Sequence, residues 1–248
     1  MATLPDLFVT FIAPEPKVNP HYDEVKREAE EWMRENLWKE LSEKEIKKRC
    51  AADFCYFGAI MCPDIGKEEF RTVFEFDDPV RERYVKSNAH FCHSVAELHG
   101  EEFDDMVVME NIRRYLQVRA QNIGLYPLLA LEEYAYGIDL PQEVLDHEAI
   151  QEIERLVAEI LTLQNDILSY HREHSVGHSQ NLISIFRRRM GLTQQQSYDK
   201  ANELLHRCYR RWYMAHSEVP SWGERVDVQV QRYLQACLDV LKANVRWR

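Results

Sequence analysis

What this 248-residue sequence lacks narrows its class before any motif is read. Glycine is scarce, at eight residues, so the loops are expected to be short. No run alternates apolar and polar residues convincingly with period two, so no sheet is expected. The six cysteines (Cys50, Cys55, Cys62, Cys92, Cys208 and Cys237) include no Cys-x-x-Cys pair. They lie mostly in apolar, helix-like surroundings and read as reduced core thiols, not as a disulfide frame. A basic excess is missing too: 42 Asp and Glu face 31 Lys and Arg, with no basic stripe. That balance disfavours a general binder of nucleic acid or of an anionic membrane. The stretch from Met1 to Val18 has an apolar patch at Leu7 to Ile12, no positively charged start, and breaks at Pro5, Pro14 and Pro16. Neither a signal peptide nor a membrane span is expected from it, and a soluble cytosolic protein is the default.

What is present is a near-continuous series of helices. The length fits one domain, residues 1–248 with an extended segment over 1–20, and it suffices to bury a sizeable core. Asn19-Pro20-His21-Tyr22 opens a helix to about Lys39, with Val25, Ala29, Trp32 and Met33 on one face. Ser42 to Glu45 is a Ser-x-x-Glu capping box that starts a second helix, which runs through Met61 until Pro63 stops it. Ile150 to Leu163 carries Ile153, Leu156, Val157, Ile160 and Leu161 at helical spacing, a broad buried face. Gly177 ends that helix or opens a loop, and Asn181 to Met190 forms a basic-tailed helix. Thr193 to Gln196 and Ser221 to Glu224 are the caps expected for the last two helices. The first of these includes Leu205, Trp212 and Met214 and leaves Arg207, Arg210 and Arg211 to solvent; the second turns Val228, Tyr233, Leu234, Cys237 and Leu241 inward.

The chemistry concentrates in Asn165-Asp166-Ile167-Leu168-Ser169-Tyr170-His171-Arg172-Glu173. Positions i, i+4 and i+8 of a helix share one stripe, so Asn165, Ser169 and Glu173 align an amide oxygen, a hydroxyl and a carboxylate. Three hard oxygen donors suit a hard divalent cation such as Mg²⁺, which keeps several waters and is commonly completed by substrate phosphates. Arg172 adds a fixed positive charge able to hold a phosphate oxygen. A polar helix face can also carry Asn, Ser and Glu by composition alone. Yet Asn and Ser are mediocre helix formers, and their place in an apolar-periodic helix asks for a reason.

The nonapeptide resembles the (N/D)DxxSxxxE metal motif of class I terpene synthases, and its surroundings resemble the sesquiterpene synthases of mushroom-forming fungi. Tyr115-Leu116-Gln117-Val118-Arg119-Ala120-Gln121-Asn122-Ile123-Gly124 resembles the family's YxxxRxxxxG segment, close to the family's distance ahead of the metal motif. Gly124 there permits a backbone conformation closed to other residues, and Pro127 restarts a helix. The resemblance continues through Gly137-Ile138-Asp139-Leu140-Pro141. It implies an all-α, class I terpenoid synthase-type helical bundle. It also implies Arg119 as a sensor of substrate diphosphate, Mg²⁺ as the cofactor, and ionisation of farnesyl diphosphate followed by cyclisation of the allylic cation.

Other stretches depart from that pattern. Phe76-Asp77-Asp78 matches the start of the family's first, acid-rich metal motif, so Asp77 and Asp78 are further metal candidates; but Pro79 follows directly and Arg81 stands where an acid is expected. Physical chemistry favours Asp78 as a helix N-cap with Pro79 in the first turn. Asp104-Asp105 reads as a solvated helix N-terminus. His171, His174 and His178 lack the third strong ligand and the residue order of a zinc protease, and read as surface histidines. The separation of Asp77 from Asn165 is shorter than in the family, which implies a reduced barrel. The end, Ala243 to Arg248, lacks the Arg-Tyr pair with which the family contacts diphosphate. Two alternatives stand beside the enzyme: a catalytically impaired relative, and a non-enzymatic helical interaction protein. The terpene product, the oligomeric state and a C10 against a C15 substrate are not fixed by the sequence.

Overall fold

The computed structural model of the chain describes residues 2–36, 38–68, 108–177 and 180–247, and all regular structure among them is helical. Asp77 and Asp78, the Asp104-Asp105 pair, Cys92 and His178 lie outside the described residues. A short 3-10 turn at Thr10–Ile12 precedes α1 (Tyr22–Asn36), α2 (Glu43–Ala52) and α3 (Phe54–Met61). Then follow α4 (Val108–Asn122), α5 (Leu125–Tyr136), α6 (Gln142–Leu145), α7 (Glu148–Ser175), α8 (Leu182–Met190), α9 (Gln194–Ser217) and α10 (Glu224–Arg246). No helix among the described residues is long and apolar enough to cross a membrane.

Helix α7 is the axis of the bundle. Its 28 residues span roughly 42 Å at 1.5 Å per residue, and it packs against α4, α8, α9 and α10. Ile150, Ile153, Leu156, Val157, Ile160, Leu163 and Ile167 are all buried along it. Each such side chain contributes about 1.5–3 kcal/mol on leaving water, so the helix that carries the polar stripe is firmly held in the core. Around it, Leu205, Tyr209 and Trp212 of α9 and Tyr233, Cys237 and Leu241 of α10 complete the core. The N-terminal segment is strapped over α9 by Phe11, whose ring meets those of Tyr209, Trp212 and Tyr213 at 5.1–5.7 Å.

Several helix ends form as their sequences require. At Ser42 the hydroxyl accepts the Glu45 amide, while the Glu45 carboxylate accepts the Ser42 amide at 2.9 Å. Thr193 and Gln196 make the same reciprocal pair. Gly124 (φ 84°) separates α4 from α5, and Gly137 (φ 59°) closes α5, both in left-handed backbone that disfavours a Cβ.

Four expectations are corrected. The second helix does not run unbroken to Met61: Asp53, at φ 45° and ψ 56°, ends α2 and begins α3. Its carboxylate takes a hydrogen bond from Tyr22 Oη at 2.6 Å and an ion pair from Lys26 at 2.5 Å, so α1 fixes the break. Ser221 does not cap α10 through Glu224; it donates to Asp227 at 2.6 Å, and Gly223 stands at the cap. Val228 is exposed, not inward, as are Trp32 and Met214. Arg211 is not left to solvent alone: it pairs with Glu152 and, at 3.4 Å, with Glu159, while Arg155 bridges the same two acids. At the chain end Arg246 pairs with Glu15 at 2.7 Å, and the Trp247 ring packs on Phe54 and Phe57.

Candidate active site

Because α7 is unbroken from Glu148 to Ser175, Asn165, Ser169 and Glu173 sit one turn apart on a single stripe. Asn165 and Glu173 are half-buried and Ser169 is buried. The stripe lies near the end of α7, where Val176 and Gly177 (φ 79°) turn the chain towards α8. Asn181, the N-cap of α8, is fully buried and comes back onto the stripe. Its side-chain nitrogen donates to Glu173 Oε2 at 3.0 Å and lies 3.5 Å from Ser169 Oγ. Two of the three stripe oxygens therefore converge on one small hydrogen-bond donor.

Arg119, near the end of α4, reaches the same region. One of its terminal nitrogens lies 3.6 Å from Asp166 Oδ1, and its electrostatic neighbours are Tyr115, Asp166 and Glu173. Burial works against the guanidinium charge, but those neighbours more than offset it and hold its pKa above the ordinary value. The arginine and the metal-type stripe thus share one electrostatic environment.

Sequence reasoning assigned no role to Asp166, yet it is the hub. Its Oδ2 accepts the Tyr115 hydroxyl at 2.6 Å and the Leu182 amide at 2.9 Å, and its backbone carbonyl accepts the Asn181 side chain at 2.8 Å. One aspartate therefore ties α4, α7 and the start of α8 together. Burial pushes its carboxyl up, against the pull of Arg119, Tyr115 and the Leu182 amide. The available signal was an acid set between apolar residues on the buried face of a long helix. Asn181 carried a signal as well, since Asn is among the favoured N-caps.

Arg172 is exposed; its described contact is through its backbone carbonyl, which accepts Ser175 Oγ at 2.7 Å. His171 and His174 are exposed as well, His171 lying 3.3 Å from the Gln194 amide and His174 stacking on Tyr170 at 5.3 Å. Among the described residues no group of three His, Cys, Asp or Glu side chains is arranged to hold a metal. Among the described residues, the oxygen donors gathered here are the mixed amide, hydroxyl and carboxylate groups of the stripe.

Comparison with known proteins identifies the family and the fold. Residues 22–211 match the family described as terpene synthase family 2, C-terminal metal binding. Silphinene synthase of Penicillium patulum is 31% identical over 312 aligned positions, covering 98% of this chain and 83% of its own. That aligned stretch is longer than the present 248 residues, so the relative carries segments that face gaps here. A protein of Gibberella fujikuroi named as an inactive guaiadiene synthase is 28% identical, over 98% of this chain and 78% of its own. Among solved structures, that of a-eudesmol synthase superposes with a TM-score of 0.80 at 16% identity, covering 94% of this chain and 96% of that one, and so shares the fold. By the extent of the family match and by its similarity to silphinene synthase, the chain belongs to the terpene synthase family, with the class I helical fold.

Proposed function

We propose that this chain is a cation-dependent sesquiterpene cyclase that ionises farnesyl diphosphate and closes the resulting allylic cation into a ring. The observation that carries the reading is the meeting of Arg119 with Ser169 and Glu173 through Asp166 and Asn181. A divalent cation fits the donors: Ser169 Oγ and the Glu173 carboxylate lie close enough to share one neighbour, and both offer hard oxygens. Asn165, Ser169 and Glu173 would hold it, Mg²⁺ being the ion that such a donor set and a diphosphate suit best. Bound there, it would supply Lewis-acid stabilisation of the charge on the departing diphosphate.

The chain's own side chains do the rest. Arg119, held by Asp166, is set to take a diphosphate oxygen and to stabilise it more strongly as it becomes an anion. Holding the guanidinium in place beforehand removes a reorganisation step from the reaction. Arg172 would add a screened, solvent-facing contact to the same anion. Asp77 and Asp78 remain proposed ligands for further cations, on the strength of the family resemblance.

The test is Mg²⁺-dependent turnover of farnesyl diphosphate by the purified protein, with extracted volatiles identified by gas chromatography and mass spectrometry. A cyclic hydrocarbon formed by the wild type and lost in Glu173→Ala is expected. Folded wild type that yields no product would instead support a second reading, a family member that keeps the fold without turnover. Pro79 and Arg81, set inside the acid-rich segment, favour that second reading.

A further inference from the structure

Asn181 does more than its place at the head of α8 requires. An N-cap needs only an acceptor, and the Asn181 oxygen fills that role by taking the Ile183 amide at 2.9 Å. Serine or threonine would serve as well. The side-chain nitrogen is what only an amide supplies at this length, and its two hydrogens have distinct destinations. One goes to the Asp166 carbonyl at 2.8 Å, the other to Glu173 Oε2 at 3.0 Å, with Ser169 Oγ at 3.5 Å beside it.

Glu173 needs such a donor. It sits in the last turn of α7, where the exposed carbonyls present partial negative charge and disfavour a carboxylate. Its side chain is long, only half-buried, and free to leave the stripe. Among the described residues the hydrogen bond to its carboxylate is made at Oε2, which leaves Oε1 available. We propose that Asn181 is a positioning residue for the cation site: it grips the Glu173 carboxylate by one oxygen, so that the other stays on the line of Asn165 and Ser169. This inference rests on the cation reading of the stripe. Carboxylates that ligate metals are commonly held from behind in this way, and loss of the holding group lowers metal affinity roughly 10–100-fold.

The purely architectural alternative, that Asn181 only joins α7 to α8, makes a different prediction. Asn181→Ser keeps the cap oxygen and removes the nitrogen, with Asn181→Thr as a second variant should serine prevent folding. Thr193→Ala removes a cap of the same kind at α9, without contact to Glu173. Binding of Mn²⁺ would be titrated by the electron paramagnetic resonance of the free ion, with inorganic diphosphate present. The temperature would be one at which circular dichroism shows every variant helical. Wild type and Thr193→Ala are expected to bind alike, and Asn181→Ser about 10–100-fold more weakly. Equal affinity in the folded Asn181 variant would overturn the positioning role while leaving the cation site intact. Wild type that binds no Mn²⁺, or Glu173→Ala that binds as wild type does, would overturn the cation reading and this inference with it.

Discussion

Asp166 and Glu132 are the most deeply buried carboxyl groups among the described residues, and their surroundings differ. Asp166 receives the Tyr115 hydroxyl and the Leu182 amide and faces Arg119. Glu132, on α5, receives the Cys62 thiol, which donates to its Oε2 at 3.8 Å; among the described residues its Oε1 has no hydrogen-bond partner, and Asp239 adds a second negative charge nearby. Burial pushes Glu132 well above the ordinary carboxyl range with little to oppose it, whereas at Asp166 the partners pull back. The difference separates two uses of a buried acid. Asp166 has donors and a cation beside it, which equip it to orient an arginine; at Glu132 burial and the neighbouring Asp239 favour the protonated form.

The largest expected effect comes from breaking the equipped site. Asp166→Ala removes the carboxylate beside Arg119 and strands the Tyr115 hydroxyl and the Leu182 amide. Losing one partner of a buried ion pair costs about 3–5 kcal/mol, which urea unfolding should register as a lower midpoint. Asp166→Asn, which keeps an acceptor oxygen, should recover part of that stability. In any turnover assay it should still show a raised KM, because Arg119 has lost the charge that aims it.

The unequipped site should respond in the opposite sense. The folded pKa of Glu132 lies above its ordinary 4.5, so the folded protein keeps a proton that the unfolded chain releases. Stability is then complete below the unfolded pKa and is lost as the pH rises towards the folded one, at about 1.4 kcal/mol per unit of difference. Glu132→Gln removes that loss. The variant should melt close to wild type near pH 4 and above it at pH 8. A lower melting temperature at pH 8 would mean that Glu132 is charged and has a use.

The same contrast explains how far the sequence could be read. The helices, the two reciprocal caps at Ser42 and Thr193 and the stripe of Asn165, Ser169 and Glu173 follow from local spacing, and local spacing is legible. The break at Asp53 has no glycine or proline to announce it, because Lys26 and Tyr22 of another helix stabilise it. Ser221 had two acids within reach and the fold chose Asp227. Asp166 and Asn181 were in view, the one inside the motif and the other heading a helix, but their importance lies in partners on other helices, α4 and α8 for Asp166 and α7 for Asn181, that no periodicity links. Arg211 was misread for the same reason, its acids lying on α7.

The smallest expected effect compares two arginines. Arg119 is mostly buried against Asp166, and Arg172 is exposed. Arg172→Ala should leave the melting temperature unchanged within about 0.5 kcal/mol, as surface substitutions usually do. If Arg172 touches diphosphate, its screened charge should change KM for farnesyl diphosphate by less than about tenfold and leave kcat alone. Arg119→Ala should lower stability and turnover together, since the buried Asp166 carboxylate then loses the positive charge facing it. A KM in Arg172→Ala equal to wild type would leave anion recognition with the buried arginine. A fall in kcat would instead place Arg172 at the leaving group, with the end of α7 closing over the substrate, and burial in the free protein would no longer separate the roles of the two.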